Sequence, residues 1–74
     1  MGGGTMRKLI KHSFTLAGHR TSVALEDAFW TALAEIAARE DRPVSALVAA
    51  LDAGREADQP LASALRVYAL LRWR

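Results

Sequence analysis

Between Leu9 and Leu25 two stretches, Ser13–Leu16 and Arg20–Leu25, follow an alternating pattern. Phe14 and Leu16 alternate with Ser13 and Thr15. Val23 and Leu25 fall on one side of a pleat, and Arg20, Ser22 and Ala24 on the other. A period of two is the signature of a strand. Ala17-Gly18 breaks the run, and Gly18 supplies the positive φ that a tight turn needs. The pattern predicts a strand over about 20–25 and a candidate second strand over 9–16. Their spacing fits a hairpin within one chain, and equally an arm that pairs with a second subunit.

After Leu25 the period lengthens. Phe29, Leu33, Ile36 and Ala37 stand at i, i+4, i+7 and i+8, the buried stripe of a helix, and Trp30 lies beside it. Glu26 and Asp27 suit the positive end of that helix dipole. A helix over about 27–39 follows. Pro43 is tolerated in a first turn but not inside a helix. Glu40–Pro43 therefore separates the first helix from a second over about 44–54. Val44, Leu47, Val48 and Leu51 stripe this second helix, and Gly54 ends it. Arg55–Gln59 is polar and aperiodic, a loop. Pro60 opens a third helix over about 61–72. Leu61, Leu65, Tyr68 and Leu71 line one side of it with Ala64 between, while Val67, Leu70 and Trp73 widen the apolar surface.

A lone strand ahead of helices leaves its backbone groups without partners, and an isolated ribbon is marginal in water. A chain of 74 residues also buries only a modest core. A second copy of the chain answers both problems. The expected fold is mostly α with a short β-ribbon. It is a homodimer whose two ribbon strands pair antiparallel at a two-fold axis, with an added third helix. Val23, Leu25, Phe29, Leu33, Ile36, Leu47, Val48 and Leu51 are its expected dimer core. Residues 1–8 are expected as a flexible basic arm, and 9–74 as a single domain.

Composition narrows the function. Cysteine is absent, which removes disulfides and thiolate metal sites. No apolar run approaches the roughly 20 residues of a membrane span, and Met1–Met6 is too short and glycine-rich for a signal peptide. A cytoplasmic location without membrane attachment is expected. The net charge of +2 hides an asymmetry. Residues 1–20 carry Arg7, Lys8, Lys11 and Arg20 without an acid, whereas 21–74 hold six arginines against eight acids. A basic arm ahead of a recognition element suits nucleic acid. His12 and His19 match no metal-ligand spacing. Ser13, Ser22 and Ser63 lack a His-and-acid arrangement, and Gly2-Gly3-Gly4 lacks the context of a phosphate loop. No enzyme, metal or cofactor is expected. Arg66, Arg72 and Arg74 read as a solvated face.

The order strand, helix, short turn, helix over 21–51 resembles that of the ribbon-helix-helix proteins, such as the Arc and methionine repressors. Lys11–Glu26, with its run Gly18-His19-Arg20-Thr21-Ser22, is similar to the opening of a family of short bacterial ribbon-helix-helix domain proteins. Val44-Ser45-Ala46-Leu47 and Leu61–Tyr68 share that similarity. The resemblance implies a small DNA-binding protein, a transcriptional regulator that inserts its ribbon into the major groove. It implies that Arg20, Ser22 and Ala24 face bases. It also implies that the amides of Val44 and Ser45 clamp a phosphate, with Lys8, Lys11 and Arg42 as further phosphate contacts. Three residues depart from the pattern. Ala24 offers only a methyl group to thymine. Pro43 removes an amide from the phosphate grip. Asp41 replaces the usual turn glycine with a charge that repels phosphate. They keep a second function in view: a ribbon-helix-helix dimer without base readout, joining other proteins through a surface such as residues 61–73.

Overall fold

A computed structural model describes residues 8–73; apart from Lys8, the expected arm over 1–8 lies outside them. Among the described residues the order is β1 (Leu9–Leu16), β2 (His19–Glu26), α1 (Asp27–Arg39), α2 (Val44–Gly54) and α3 (Leu61–Arg72). No helix there is long and apolar enough to cross a membrane. The strands pair antiparallel within the chain, from Leu16 opposite His19 to Leu9 opposite Glu26. Of the two readings open to 9–16, the intrachain hairpin is the one adopted, so the strand before α1 has its partner in the same molecule. Ala17 and Gly18 close the hairpin with φ of 52° and 81°. Two positive φ values in a two-residue loop follow the right-handed twist of the flanking strands.

One face of the hairpin covers the helices. Leu16, Val23 and Leu25 pack there on Trp30, Leu33, Ile36 and Ala37 of α1, Leu47 and Val48 of α2, and Leu65 and Ala69 of α3. Six of the eight residues expected in a dimer core, Val23, Leu25, Leu33, Ile36, Leu47 and Val48, are thus buried within a single chain. Phe29 and Leu51 are half-buried at its margin. The inward phase of α1 runs through Trp30 instead of Phe29, because the hairpin closes over Trp30. The indole Nε1–H donates to the Ile10 carbonyl at 2.7 Å. The His12 ring meets the indole edge-on at 4.6 Å, and Phe14 lies tilted at 5.9 Å. Burying an indole is favourable when its one donor finds an acceptor.

The α1–α2 turn is compact. Arg42 N–H donates to the Ala37 carbonyl at 3.0 Å and Asp41 N–H to the Ala38 carbonyl at 3.1 Å. Asp41 takes φ 58°. These are the paired bonds and left-handed residue of a helix end that glycine usually occupies. On α3 the inward line centres on Leu65 and Ala69. Leu71, grouped on one side with Leu65 by its spacing, is instead exposed. Two residues turn a helix by about 200°, so with Ala69 facing inward Leu71 faces out.

Candidate nucleic-acid interface

The hairpin's other face points away from the helices. Residues alternate in direction along a strand, and the register places Lys11 opposite Ala24, Ser13 opposite Ser22 and Thr15 opposite Arg20. These six share the outward face. All are exposed except Ala24, which is half-buried. Two cross-strand contacts order them. Arg20 Nη1–H donates to Thr15 Oγ1 at 3.3 Å, and the Ser13 and Ser22 hydroxyls lie 3.2 Å apart. The face carries two cations and three hydroxyls, a mixture of donors and acceptors on a two-stranded surface. Alternation had put Arg20, Ser22 and Ala24 on one side. Ser13 and Thr15 join them only once β1 pairs with β2. The signal that reveals them is the two-residue Ala17-Gly18 turn, which fixes which residue faces which.

Glu26, at the base of the hairpin, is engaged elsewhere. It accepts from Arg66 Nε at 3.1 Å and Nη2 at 3.4 Å. A backbone hydrogen bond at Glu26 itself, then Arg66, holds its carboxyl below the ordinary value. It therefore stays ionised while paired, and Arg20 makes no ion pair with it.

The start of α2 lies on the β1 side of the body. Val44 joins His12, Phe14, Trp30 and Thr31 around an open hollow of about 400 Å³. Pro43 caps α2 with its backbone only: its carbonyl accepts from the Ala46 and Leu47 amides at 3.1 and 3.2 Å. The first amides of a helix have no partner within it, so those of Val44 and Ser45 remain available. Ser45 is exposed. Arg42, expected on phosphate, donates to Glu40 Oε1 through Nε at 2.9 Å and Nη2 at 2.6 Å. Tyr68 Oη–H donates to Glu40 Oε2 at 2.8 Å. The Tyr68 and Arg42 bonds lower the Glu40 pKa, while burial and then Glu40 raise that of Tyr68. Arg42 thus belongs to a cluster that fastens the α1–α2 turn to α3. Lys8 and Lys11 are exposed on β1's side.

The model of a ribbon-helix-helix domain matches residues 9–73. A solved structure of an uncharacterized protein from Bordetella pertussis Tohama I is similar, with a TM-score of 0.74 and 33% identity. The match covers 93% of this chain and 58% of that one, so this chain spans less than two thirds of its length. No curated protein matches. Ribbon-helix-helix domains are a non-enzymatic fold; they generally dimerise and bind DNA as transcription regulators.

Proposed function

The chain belongs to the ribbon-helix-helix domain family, and from that premise we propose that it binds double-stranded DNA as a homodimer, as a transcriptional regulator of the bacterial cytoplasm. The observation that carries this reading is the outward face of the hairpin, where Lys11, Ser13, Thr15, Arg20, Ser22 and Ala24 stand clear of the helices. A two-stranded ribbon is the size of object that a major groove admits. Arg20 is the guanine reader, Ser22, Ser13 and Thr15 are hydroxyl contacts, and Ala24 gives its methyl to thymine. Lys8, Lys11 and the amides of Val44 and Ser45 take phosphates, which fix register without reading sequence. Arg42 reaches a phosphate only by leaving Glu40.

The test is fluorescence anisotropy of the wild type and Arg20→Ala on random duplexes and on the protein's own promoter, at low and near-physiological salt. Tight, salt-sensitive binding that weakens on Arg20→Ala, by about 1–3 kcal/mol at a preferred site, supports the reading. A folded protein that binds no duplex even at low salt removes it.

One observation favours a second reading, a dimer that joins proteins without reading bases. In a two-residue hairpin the closing pair is hydrogen-bonded, which turns the backbone groups of Arg20, Ser22 and Ala24 to the open edge of β2. Pairing two such edges, with β1 already on each inner side, gives a four-stranded sheet about 14 Å between its outer strands. The major groove is about 12 Å wide. If the copies join along β2, base contact is hindered. If they join elsewhere, each hairpin remains free as a ribbon.

A further inference from the structure

Helix α3 is apolar on two opposite sides. Leu65 and Ala69 are fully buried inside, while Val67, Leu70 and Leu71 are 47%, 74% and 77% exposed outside. Positions 63, 67, 70 and 71 stand at i, i+4, i+7 and i+8, so the outer side carries a packing stripe of its own. A helix that is apolar all round is one whose both faces are covered.

We infer that the outer ridge of α3 packs antiparallel on α3 of a second copy of this chain, with the two-fold axis near Val67. The charges argue for self-pairing. Ser63, Val67, Leu70 and Leu71 carry none. The flanking arginines are already engaged, Arg66 with Glu26 at 3.1 Å and over the Phe29 ring at 5.8 Å, and Arg72 over the Tyr68 ring at 5.1 Å. Among the described residues, an acidic partner or an anionic lipid surface finds no waiting cation along the ridge, whereas a neutral ridge fits its own copy. The shape argues the same way. An open apolar hollow of about 420 Å³ lies on the α1 side of the ridge, floored by Ala28, Ala32 and Ala69. Another of about 250 Å³ lies on the α2 side, floored by Ala50, Gly54 and Ala64. Ridge and grooves thus share one surface, as an isologous contact requires. A 12-residue helix is about 18 Å long, so the contact is small and the dimer forms in proportion to concentration.

This inference stands apart from DNA binding, and its test uses no DNA. The mass of the full chain is measured by sedimentation over a concentration series, beside Leu70→Glu/Leu71→Glu, with circular dichroism confirming that both fold. The expected result is a wild-type mass that rises with concentration and a variant mass about twofold lower at the top of the series. If β2 edges also pair, the variant falls by one assembly step instead of to monomer. Because the chain has no cysteine, Val67→Cys is an independent reporter. It is expected to form an interchain disulfide under mild oxidation faster than Ala57→Cys in the exposed α2–α3 loop. Equal masses for wild type and variant overturn the inference, as does equal cross-linking at 67 and 57. Binding of anionic phosphatidylglycerol vesicles by a wild type whose mass never rises assigns the ridge to lipid and overturns it too.

Discussion

Ala17 and Asp41 sit where glycine or asparagine would be easier. Asp41, at φ 58°, holds the left-handed position that ends α1. A side chain there costs roughly 1–2 kcal/mol, partly offset by the greater freedom glycine has in the unfolded chain. Asp41→Gly is expected to stabilise the fold by about 1 kcal/mol in a urea titration. The same substitution removes a negative charge three residues before Val44. If the start of α2 grips phosphate, Asp41→Gly also tightens DNA binding. A gain in stability without a gain in affinity separates the two roles. Trp30 is the opposite case, a residue whose polar atom is satisfied. Trp30→Phe keeps a ring beside Phe14 but removes the 2.7 Å bond to the Ile10 carbonyl. A loss of about 1–2 kcal/mol is expected, with β1 fraying first in amide exchange. Uniform exchange along β1 and β2 would show that the indole bond does not pin the strand.

At the scale of elements, the polar tethers of α3 include two carboxylates, Glu26 on Arg66 and Glu40 on Tyr68, beside the Arg39 bond to the Arg72 carbonyl. Both carboxyls are held below their ordinary pKa, so these tethers stabilise at pH above the ordinary carboxylate range and lapse as pH falls through the lowered values. The Tm is expected to be level near neutrality and to fall in acid. Glu26→Gln/Glu40→Gln should flatten that acid limb while lowering the neutral Tm only slightly, since exposed pairs contribute little. An acid limb as steep as the wild type's would place the pH dependence in other carboxylates. The order of these elements was legible in the sequence because it rests on local chemistry: period two before Leu25, longer periods after it, and stops at Pro43, Gly54 and Pro60. The outward side of Arg20, Ser22 and Ala24 was legible for the same reason. Two features needed the third dimension. The alternation over 9–16 is identical for a hairpin and for an exchanged arm, so Ser13 and Thr15 stayed off the candidate face. A helix apolar on every side does not say which side is inner, so Leu71 was grouped with Leu65 by spacing, yet Leu65 lies within and Leu71 without.

For the whole molecule, the charge asymmetry of the chain maps onto geometry. Lys11 and Arg20 lie on the hairpin with Lys8 just before it, while Arg42, Arg55 and Arg66 of the helical body are paired with acids. The free positive charge among these residues therefore sits on the element proposed to enter the groove, and paired charge adds little to a long-range field. That division gives the proposed DNA contacts two separable signatures. Each cation that neutralises a phosphate releases counterions, steepening the dependence of log K on log salt by about 0.9. Lys11→Ala should weaken binding on all duplexes alike and reduce the slope by about that amount, whereas Ser22→Ala should leave the slope unchanged and flatten the preference among sequences. The symmetry of a selected site then reports how the copies meet. A palindrome with two separated half-sites means that each hairpin reads on its own and that the dimer is joined away from β2. A single uninterrupted element centred on one two-fold means that the two β2 strands lie side by side in one groove, which requires β1 to bend away from the sheet.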